Sequence, residues 1–521
     1  MSQSLAQAYL RGAAARFFPL HLDSSTDRQR AVAQTLRPLE PEVAAELVRQ
    51  NARYVASAAR DRNLEALRTG AAAVVTGQQV GLFLGPLYTL YKAASAISAA
   101  RALSLETGAP VVPIFWLQTE DHDLPEIASC TIATPAGELC KLQLPADDGR
   151  ISMAHRTLPA EIQTLLDVLR DELGELGHGD AHVDWLASHY RPGVGWGEAF
   201  GGAIAELFAE DGLVVVDPRT EALALAGRRV HRHAIEGRGP IAFALLERCD
   251  ALRASNFPVA VHVREGAPLS FFHPQGQAGP RYRLDADLAE VGGAGRHSAE
   301  ELLEILDSEP LRFSTSALLR PILQDTLLPT AAYVGGPGEL AYFAQLSPLY
   351  AAFDKPMPLI LHRSRFVVVE PRARRLLRKL ELQVRDAAEK EDTLLQRCST
   401  SELPEPDDLA ASLLQPMLRG IEAAAAPLGG EMEKSIRRTR SSLQVAVGRF
   451  VRRYEAVRLR RDQALVDDVR KLQRLLHPEG GPQERLHGLP HYGARYGERA
   501  FLQALRQAVL PFDAVLRELE P

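Results

Sequence analysis

The hydrophobic pattern of the chain is sharpest at residues 71–127, where it predicts two buried strands joined by a helix. The apolar run at 71–75 breaks at Thr76-Gly77-Gln78-Gln79, and Gly81, Gly85 and Pro86 follow before helical periodicity begins. Pro86 suits a first helical turn. From Leu87 the apolar residues recur at Leu90, Tyr91, Ala94 and Ile97, the spacing of one buried helical face, while Tyr88 and Lys92 share another face one turn apart. Gly108 is a good helix stop. The run at 111–117 reads as the second buried strand, with Pro113 suggesting an edge or a bulge, and it leads into Glu120-Asp121-His122-Asp123. Such a β-α-β unit has parallel strands, and ligands of parallel sheets sit beyond the strands' carboxyl ends. Both polar loops therefore fall on one functional edge.

Around this unit the pattern is looser. Residues 1–70 read as helices packed on the core, residues 130–145 as a hairpin about Pro135-Ala136-Gly137, and residues 158–210 as helices interrupted at Arg191-Pro192-Gly193. Further strand-like runs lie at 213–217, 257–263 and 358–361, and the Gly-, Pro- and His-rich stretch 264–297 reads as an inserted β-rich loop. Strands alternating with helices predict an α/β fold, a mostly parallel sheet with helices on its faces. After Pro371 the character changes. Apolar positions at Leu376, Leu380, Val384, Ala387, Leu394 and Cys398, and again from Leu443 through Val447, Phe450, Tyr454, Val457, Leu465, Val469, Leu472 and Leu476, predict two long helices. With a break at Pro404-Glu405-Pro406 and a shorter helix near 409–425, they suggest an antiparallel coiled-coil arm. The expected domains are an N-terminal helical segment (1–70), a catalytic core (71–371) with insertions near 130–210 and 220–300, the arm (372–476) and a helical tail (477–521).

Length and composition narrow the class. At about 100–200 residues per domain, 521 residues make two to four folding units. A hydrophobic fraction of 46% and a charged fraction of 24% are those of a soluble globular protein. The net charge of −6 argues against a nucleic-acid-binding surface, although residues 434–475 carry 13 Lys plus Arg against 4 Asp plus Glu. That basic helix reads as a solvated coiled-coil face, with an anionic ligand as the sharper alternative. No long apolar signal core opens the chain and no apolar run is long enough for a bilayer, so a cytoplasmic location without a membrane partner is expected. Cys130, Cys140, Cys249 and Cys398 lack metal-ligand or disulfide-framework spacing, and no bound metal is expected.

Three constellations carry candidate chemistry. The loop at 76–85 could cradle an anion with backbone N–H groups, Gly81 and Gly85 allowing close approach and Gln78 and Gln79 adding amide donors. It matches neither G-x-x-x-x-G-K-[ST] nor G-x-G-x-x-G, and a tight strand-to-helix turn explains it equally. Glu120, Asp121 and His122 could bind an amine, coordinate a metal or act in acid-base chemistry, while Asp123, three residues before Glu126, is assigned to helix capping. Finally, Arg320 and Gln324 lie one helical turn apart before Gly335-Gly336-Pro337, where an arginine beside a turn fits a carboxylate or phosphate. Ordinary surface polarity explains this third set as well. His262, His273 and His362 read as structural.

Taken together, TGQQVGLFLGPLYTLYK, PVVPIFWLQTEDHD, LRPILQDTLLPTAAYVGGPGELAYFAQLSPLY and KLQRLLHPEGGPQER resemble the cysteine ligase family of bacillithiol biosynthesis, in matching order from about residue 70 to 485. The resemblance implies a Rossmann-like core akin to nucleotidyltransferases and class I aminoacyl-tRNA synthetases, connecting insertions, and a coiled-coil arm used for homodimerisation. It implies addition of cysteine to glucosaminyl-malate. The matching pocket positions are Thr76, Gly77, Gln78, Gln79, Gly81, Gly85, Tyr88 and Lys92, then Trp116, Glu120, Asp121 and His122, and finally Arg320, Gln324, Gly335, Gly336, Glu339 and Tyr342. HIGH-type and KMSKS-type sequences are missing, yet a free carboxylate lacks a leaving group, so Mg-ATP is the expected cosubstrate. In this reading Arg320 and the Gly335-Gly336 N–H groups hold carboxylate or phosphate, Glu120 and Asp121 hold the cysteine ammonium, and His122 accepts the amine proton. The competing readings are another adenylate-forming or nucleotidyl-transferring enzyme and a non-catalytic coiled-coil scaffold.

Overall fold

Short runs of small and β-branched residues fold into five parallel strands, most of their residues buried. The structure, a computed structural model, describes residues 4–135, 137–147, 149–399 and 403–521. It divides into two compact units, residues 1–366 with 484–521, and residues 367–483.

In the first unit β1 (Ala72–Gln78) leads through α1 (Tyr88–Thr107) to β2 (Val111–Leu117). Then come β3 (Val214–Val216), α2 (Arg320–Leu327), β4 (Thr330–Gly335), α3 (Pro337–Phe343) and β5 (Leu359–His362). The spatial order is β5-β4-β1-β2-β3, every neighbouring pair parallel. The chain steps from β1 outward to β2 and β3, then returns to the other side of β1 for β4 and β5. That reversal puts the ligand crevice of an open α/β sheet at the carboxyl ends of β1 and β4.

Alternation along the strands feeds two cores. Ala73, Val75, Ile114, Trp116, Tyr333 and Ile360 join Val43 and Leu47 of an N-terminal helix in one. Ala72, Val74, Val111, Val334 and Leu361 meet Ala96, Ala99, Ala100 and Leu103 of α1 in the other. Burial on both faces is why these strands read as continuous apolar runs. α1 is enclosed on more than the one expected face: Phe366 packs edge-on against Tyr91, and the Ser364 N–H donates to Ser95 Oγ.

Pro113 marks neither an edge nor a bulge, since β2 lies between β1 and β3 with Pro113 in register opposite Val74. The Gln118 N–H donates to Gln78 O, and parallel pairing alternates sides, so odd-numbered nitrogens of β2 face β3. Pairing with β3 begins only at Ile114, so the N–H that proline lacks has no acceptor to miss. The run at 257–263 is not a strand: Gln345 takes the place of a neighbouring strand, accepting from the Val261 N–H and donating to Val261 O. Strands Ser129–Ala133 and Leu139–Gln143 form the expected hairpin, with Ala136 outside the described residues. Strands Ser270–Phe272, Tyr282–Arg283 and Phe313–Thr315 form a small antiparallel sheet.

The loop after β1 is held under backbone strain. Gly85 has φ +64° and ψ −154°, and Phe83 and Leu84 have φ of 50° and 70°. The Leu84 N–H donates to Tyr190 Oη at 3.0 Å, one of the contacts that keep the loop in this shape. Gly85→Ala is expected to lower unfolding free energy by about 1–3 kcal/mol, read from the urea midpoint, because its region of φ and ψ is almost restricted to glycine.

The second unit is helical. α4 (Pro406–Ala425) and α5 (Glu433–Leu459) pack as a hairpin, and α6 (Gln463–Leu476) follows. This arm is paired differently from the expected one. The apolar stripe from Leu376 to Cys398 is broken into Pro371–Leu380, a 3-10 turn Val384–Ala388 and Glu391–Cys398, because Glu381 ends the first piece in the left-handed region at φ 54°. These pieces wrap the Val466, Val469, Leu472 and Leu476 face of α6 in a separate core. No helix among the described residues is long and apolar enough to cross a membrane.

Candidate active site

The crevice between β1 and β4 is built around a buried ammonium. Lys92, in the second turn of α1 and 3% exposed, donates to Gly77 O at 2.8 Å and Gln78 Oε1 at 3.0 Å, and pairs with Glu339 Oε2 at 2.5 Å. Glu339 Oε1 accepts from Tyr333 Oη and Oε2 accepts from the Gly336 N–H. Burial pushes Lys92 down despite Glu339; burial alone would raise Glu339, but Lys92 and its other donors hold it below the usual carboxylate range. The Gly336 N–H, expected to face an anion, is thus committed to Glu339. Gly335 likewise serves the sheet, its carbonyl accepting from the Arg363 N–H.

Arg320 sits at the start of α2, 4% exposed, donating from Nη1 to Gln324 Oε1 at 2.7 Å and from Nη2 to Tyr342 Oη at 2.9 Å. Its guanidinium lies 5.0 Å from the Tyr333 ring centroid. No carboxylate among the described residues forms an ion pair with it. A buried cation with only neutral hydrogen-bond partners is costly, and a bound anion removes that cost.

The acidic loop after β2 meets the small antiparallel sheet. Arg281 donates from Nε to His122 Nδ1 at 2.9 Å and from Nη2 to Asp121 Oδ1 at 3.2 Å, with its guanidinium 4.2 Å from the Phe271 centroid. An arginine nitrogen only donates, so the neutral His122 ring carries its proton on Nε2. The lone pair that was to accept a proton is therefore occupied. Gln79 Nε2 donates to Asp121 Oδ2 at 2.7 Å and to Glu126 Oε2 at 2.9 Å. Burial would raise the Asp121 carboxyl, but His122, Arg281 and Gln79 outweigh it and hold it well below the usual range. Arg281→Met is expected to move the acid limb of kcat/KM to higher pH, because Asp121 loses its cation; a limb that stays in place contradicts the assignment. Glu120 accepts at Oε1 from the Thr315 N–H and at Oε2 from the Thr315 hydroxyl, an anchor for the small sheet.

Two cavities open here. One of about 330 Å³ is lined by Gly77, Gln78, Gln79, Tyr88, Lys92, Glu339 and Tyr342 with Arg363 and Arg485; the other, of about 350 Å³, by Glu120, Asp121 and His122 with Arg264, Arg281 and Arg283. Gln118, Asp121, Ala317 and Arg320 border both. Several expected positions lie behind this surface. Thr76 Oγ1 donates to Val334 O, Gln324 braces Arg320, and Trp116 is fully buried in the core because it shares a strand face with Ile114. Gly77 gives room for that strand, since a Cβ there would lie 2.9 Å from Trp116 O. Gly81 and Gly85 pack against each other, a Cβ on Gly81 falling 3.0 Å from Gly85 Cα. Asp123 Oδ1 accepts from the Glu126 N–H as a helix cap.

Sequence reasoning missed Gln118, Glu126, Arg281, Arg363 and Arg485, and it set aside His262, which lines the larger cavity. Arg363 forms a buried two-pronged pair with Glu484 at 2.7 and 2.6 Å, and both Arg363 and Arg485 approach the Tyr88 ring, at 5.4 and 5.9 Å. The one signal was the Gln483-Glu484-Arg485 end of the motif at 471–485.

Comparison with known proteins matches residues 1–364 to the model of the "Bacillithiol biosynthesis BshC, N-terminal Rossmann-like domain" and residues 366–516 to that of the "C-terminal coiled-coil domain" of the same family. A protein of Koribacter versatilis named "Putative cysteine ligase BshC" is 35% identical over 452 residues, 86% of this chain and 84% of its own. Proteins of the same name from Salinibacter ruber and Solibacter usitatus are 33% and 30% identical, covering 95% and 94% of this chain and 92% and 88% of their own.

Proposed function

Since the chain belongs to the BshC family of bacillithiol biosynthesis, we propose that it joins the carboxyl group of cysteine to the amine of glucosaminyl-malate. The observation that supports this best is Arg320, a buried guanidinium that forms no ion pair with a carboxylate among the described residues and lies on the wall shared by two cavities. In this reading Mg-ATP supplies the leaving group that a free carboxylate lacks. Arg320, with Arg363 and Arg485 along the smaller cavity, holds the phosphate and the developing negative charge at the carboxyl oxygen. Asp121 and Glu126, joined by Gln79, face them with carboxylates that take the ammonium and the proton the amine releases. His122 presents Nε2–H as a donor that orients the acceptor. A C–N bond forms between the cysteine carboxyl carbon and the sugar nitrogen, and the C–O bond to phosphorus-bound oxygen breaks. Phosphorus NMR of the reaction with cysteine and glucosaminyl-malate tests this: one nucleotide cleaved per amide formed is expected, and amide accumulating over intact ATP overturns it.

The reading includes a cytoplasmic homodimer held by the arm. Met417, Val445, Phe450 and Val457 are large apolar side chains left exposed on α4 and α5, the kind of surface that a second copy covers. Phe450→Glu with Val457→Glu is expected to give monomers by light scattering, while changing the unfolding free energy of the monomer by no more than about 0.5 kcal/mol. A persistent dimer removes the arm from that role.

A further inference from the structure

The larger cavity carries positive charge that the smaller one's chemistry leaves unused. Of its arginines, Arg320 faces both cavities and Arg281 is committed to His122 and Asp121. Arg264 and Arg283 are different. Both line the cavity, both are exposed, and neither has a side-chain hydrogen bond or ion pair among the described residues. Arg283 is nonetheless held in place, its guanidinium 5.4 Å from the centroid of the Phe271 ring that also carries Arg281. The stacked arrangement brings two cations to one ring while only Arg281 has a carboxylate beside it, so the charge on Arg283 is left for a ligand.

We propose that this cavity is the acceptor's subsite and that Arg264 and Arg283 bind the two carboxylates of a small dicarboxylate, the malyl end of the acceptor. The proposal rests on the ligase reading and deepens it. A dicarboxylate seated against Arg264 and Arg283 directs the rest of the acceptor toward the shared wall, where Asp121, Gln118 and Arg320 lie. The amine then meets the activated carboxyl group from the larger cavity, while the nucleotide occupies the smaller one. His262, whose Nδ1–H donates to Val263 O, adds Nε2 as an acceptor for a hydroxyl of the acceptor's sugar.

Calorimetric titration of the full chain with glucosaminyl-malate, L-malate and glucosamine tests it. The wild-type protein is expected to bind both malyl compounds, and Arg264→Gln with Arg283→Gln to bind them about 100-fold more weakly, about tenfold for each charged hydrogen-bonding group lost. Glucosamine, which has no carboxylate, is expected to bind both proteins alike. Equal malate affinity in the two proteins, or no malate binding to the wild type, overturns the proposal. Turnover separates it from the ligase reading. If the wild type forms the amide but the double variant keeps the wild-type KM for the acceptor, the subsite falls and the ligase stands. If malate binding is lost in the variant but no amide forms with the wild type, the ligase falls and the dicarboxylate subsite stands.

Discussion

Arg320→Leu is expected to cost at least about 100-fold in turnover, roughly 3 kcal/mol of transition-state stabilisation, without weakening the fold. The reason is the company Arg320 keeps. Its hydrogen bonds run to a glutamine amide and a tyrosine hydroxyl, and among the described residues no carboxylate forms an ion pair with it, Glu339 acting on its charge only from beyond ion-pair distance. A structural arginine in such a place loses stability when replaced. A ligand-binding one carries a standing cost that the apolar variant relieves, so the urea midpoint of Arg320→Leu should stay level or rise. Arg320→Lys is not expected to restore activity, since a lysine cannot span Gln324 and Tyr342 with a planar fork while keeping donors for the anion. Loss of stability alongside full turnover would make Arg320 a structural residue.

The second large effect concerns Lys92 and Glu339. Lys92→Ala is expected to lower unfolding free energy by about 3–5 kcal/mol, because it strands Glu339 as a buried, unpaired carboxylate. Lys92→Met with Glu339→Gln removes both charges and should recover most of that loss in denaturant titration. Equal and additive losses in the two single variants would mean that the pair is uncoupled. The pH dependence of the single variant carries a sign. With Lys92 gone, the Glu339 carboxyl loses its largest opposing cation and burial raises it. A raised carboxyl binds more protons in the folded state than in the unfolded one, so Lys92→Ala should gain stability as the pH falls into the carboxylate range. The wild-type pair, in which Glu339 is held low, should lose stability there.

What the chain disclosed by inspection was local. The 71–127 unit was legible because strand period, helix period and turn residues agree within a few positions of one another; Arg320 and Gln324 were legible as neighbours one helical turn apart, and Glu339 entered only through the family resemblance. Arg281 was not legible, since its partners His122 and Asp121 lie 159 and 160 residues away and only the small antiparallel sheet brings them together. Arg363 and Glu484 are 121 residues apart for a similar reason. Trp116 shows the opposite failure. Strand alternation places it with Ile114 on a core face, a signal present in the residues but overridden by the family resemblance, which placed it among the pocket positions. In the arm, the three-to-four spacing from Leu376 continues across Glu381, where the backbone turns left-handed, because each short piece still presents its apolar residues to α6. Periodicity reports which residues are buried together, and it is silent on whether one helix or three carries them.

In the proposed function the crevice joins cysteine to an amine by nucleotide-dependent activation, with Arg320 holding the anion. The most direct test is mass-spectrometric detection of the cysteinyl adduct from purified protein, cysteine and glucosaminyl-malate, with and without Mg-ATP, for the wild type and Arg320→Leu. An adduct that requires both Mg-ATP and Arg320 is the expected result. An adduct formed equally well without nucleotide, or none from folded wild-type protein with all components present, contradicts the claim.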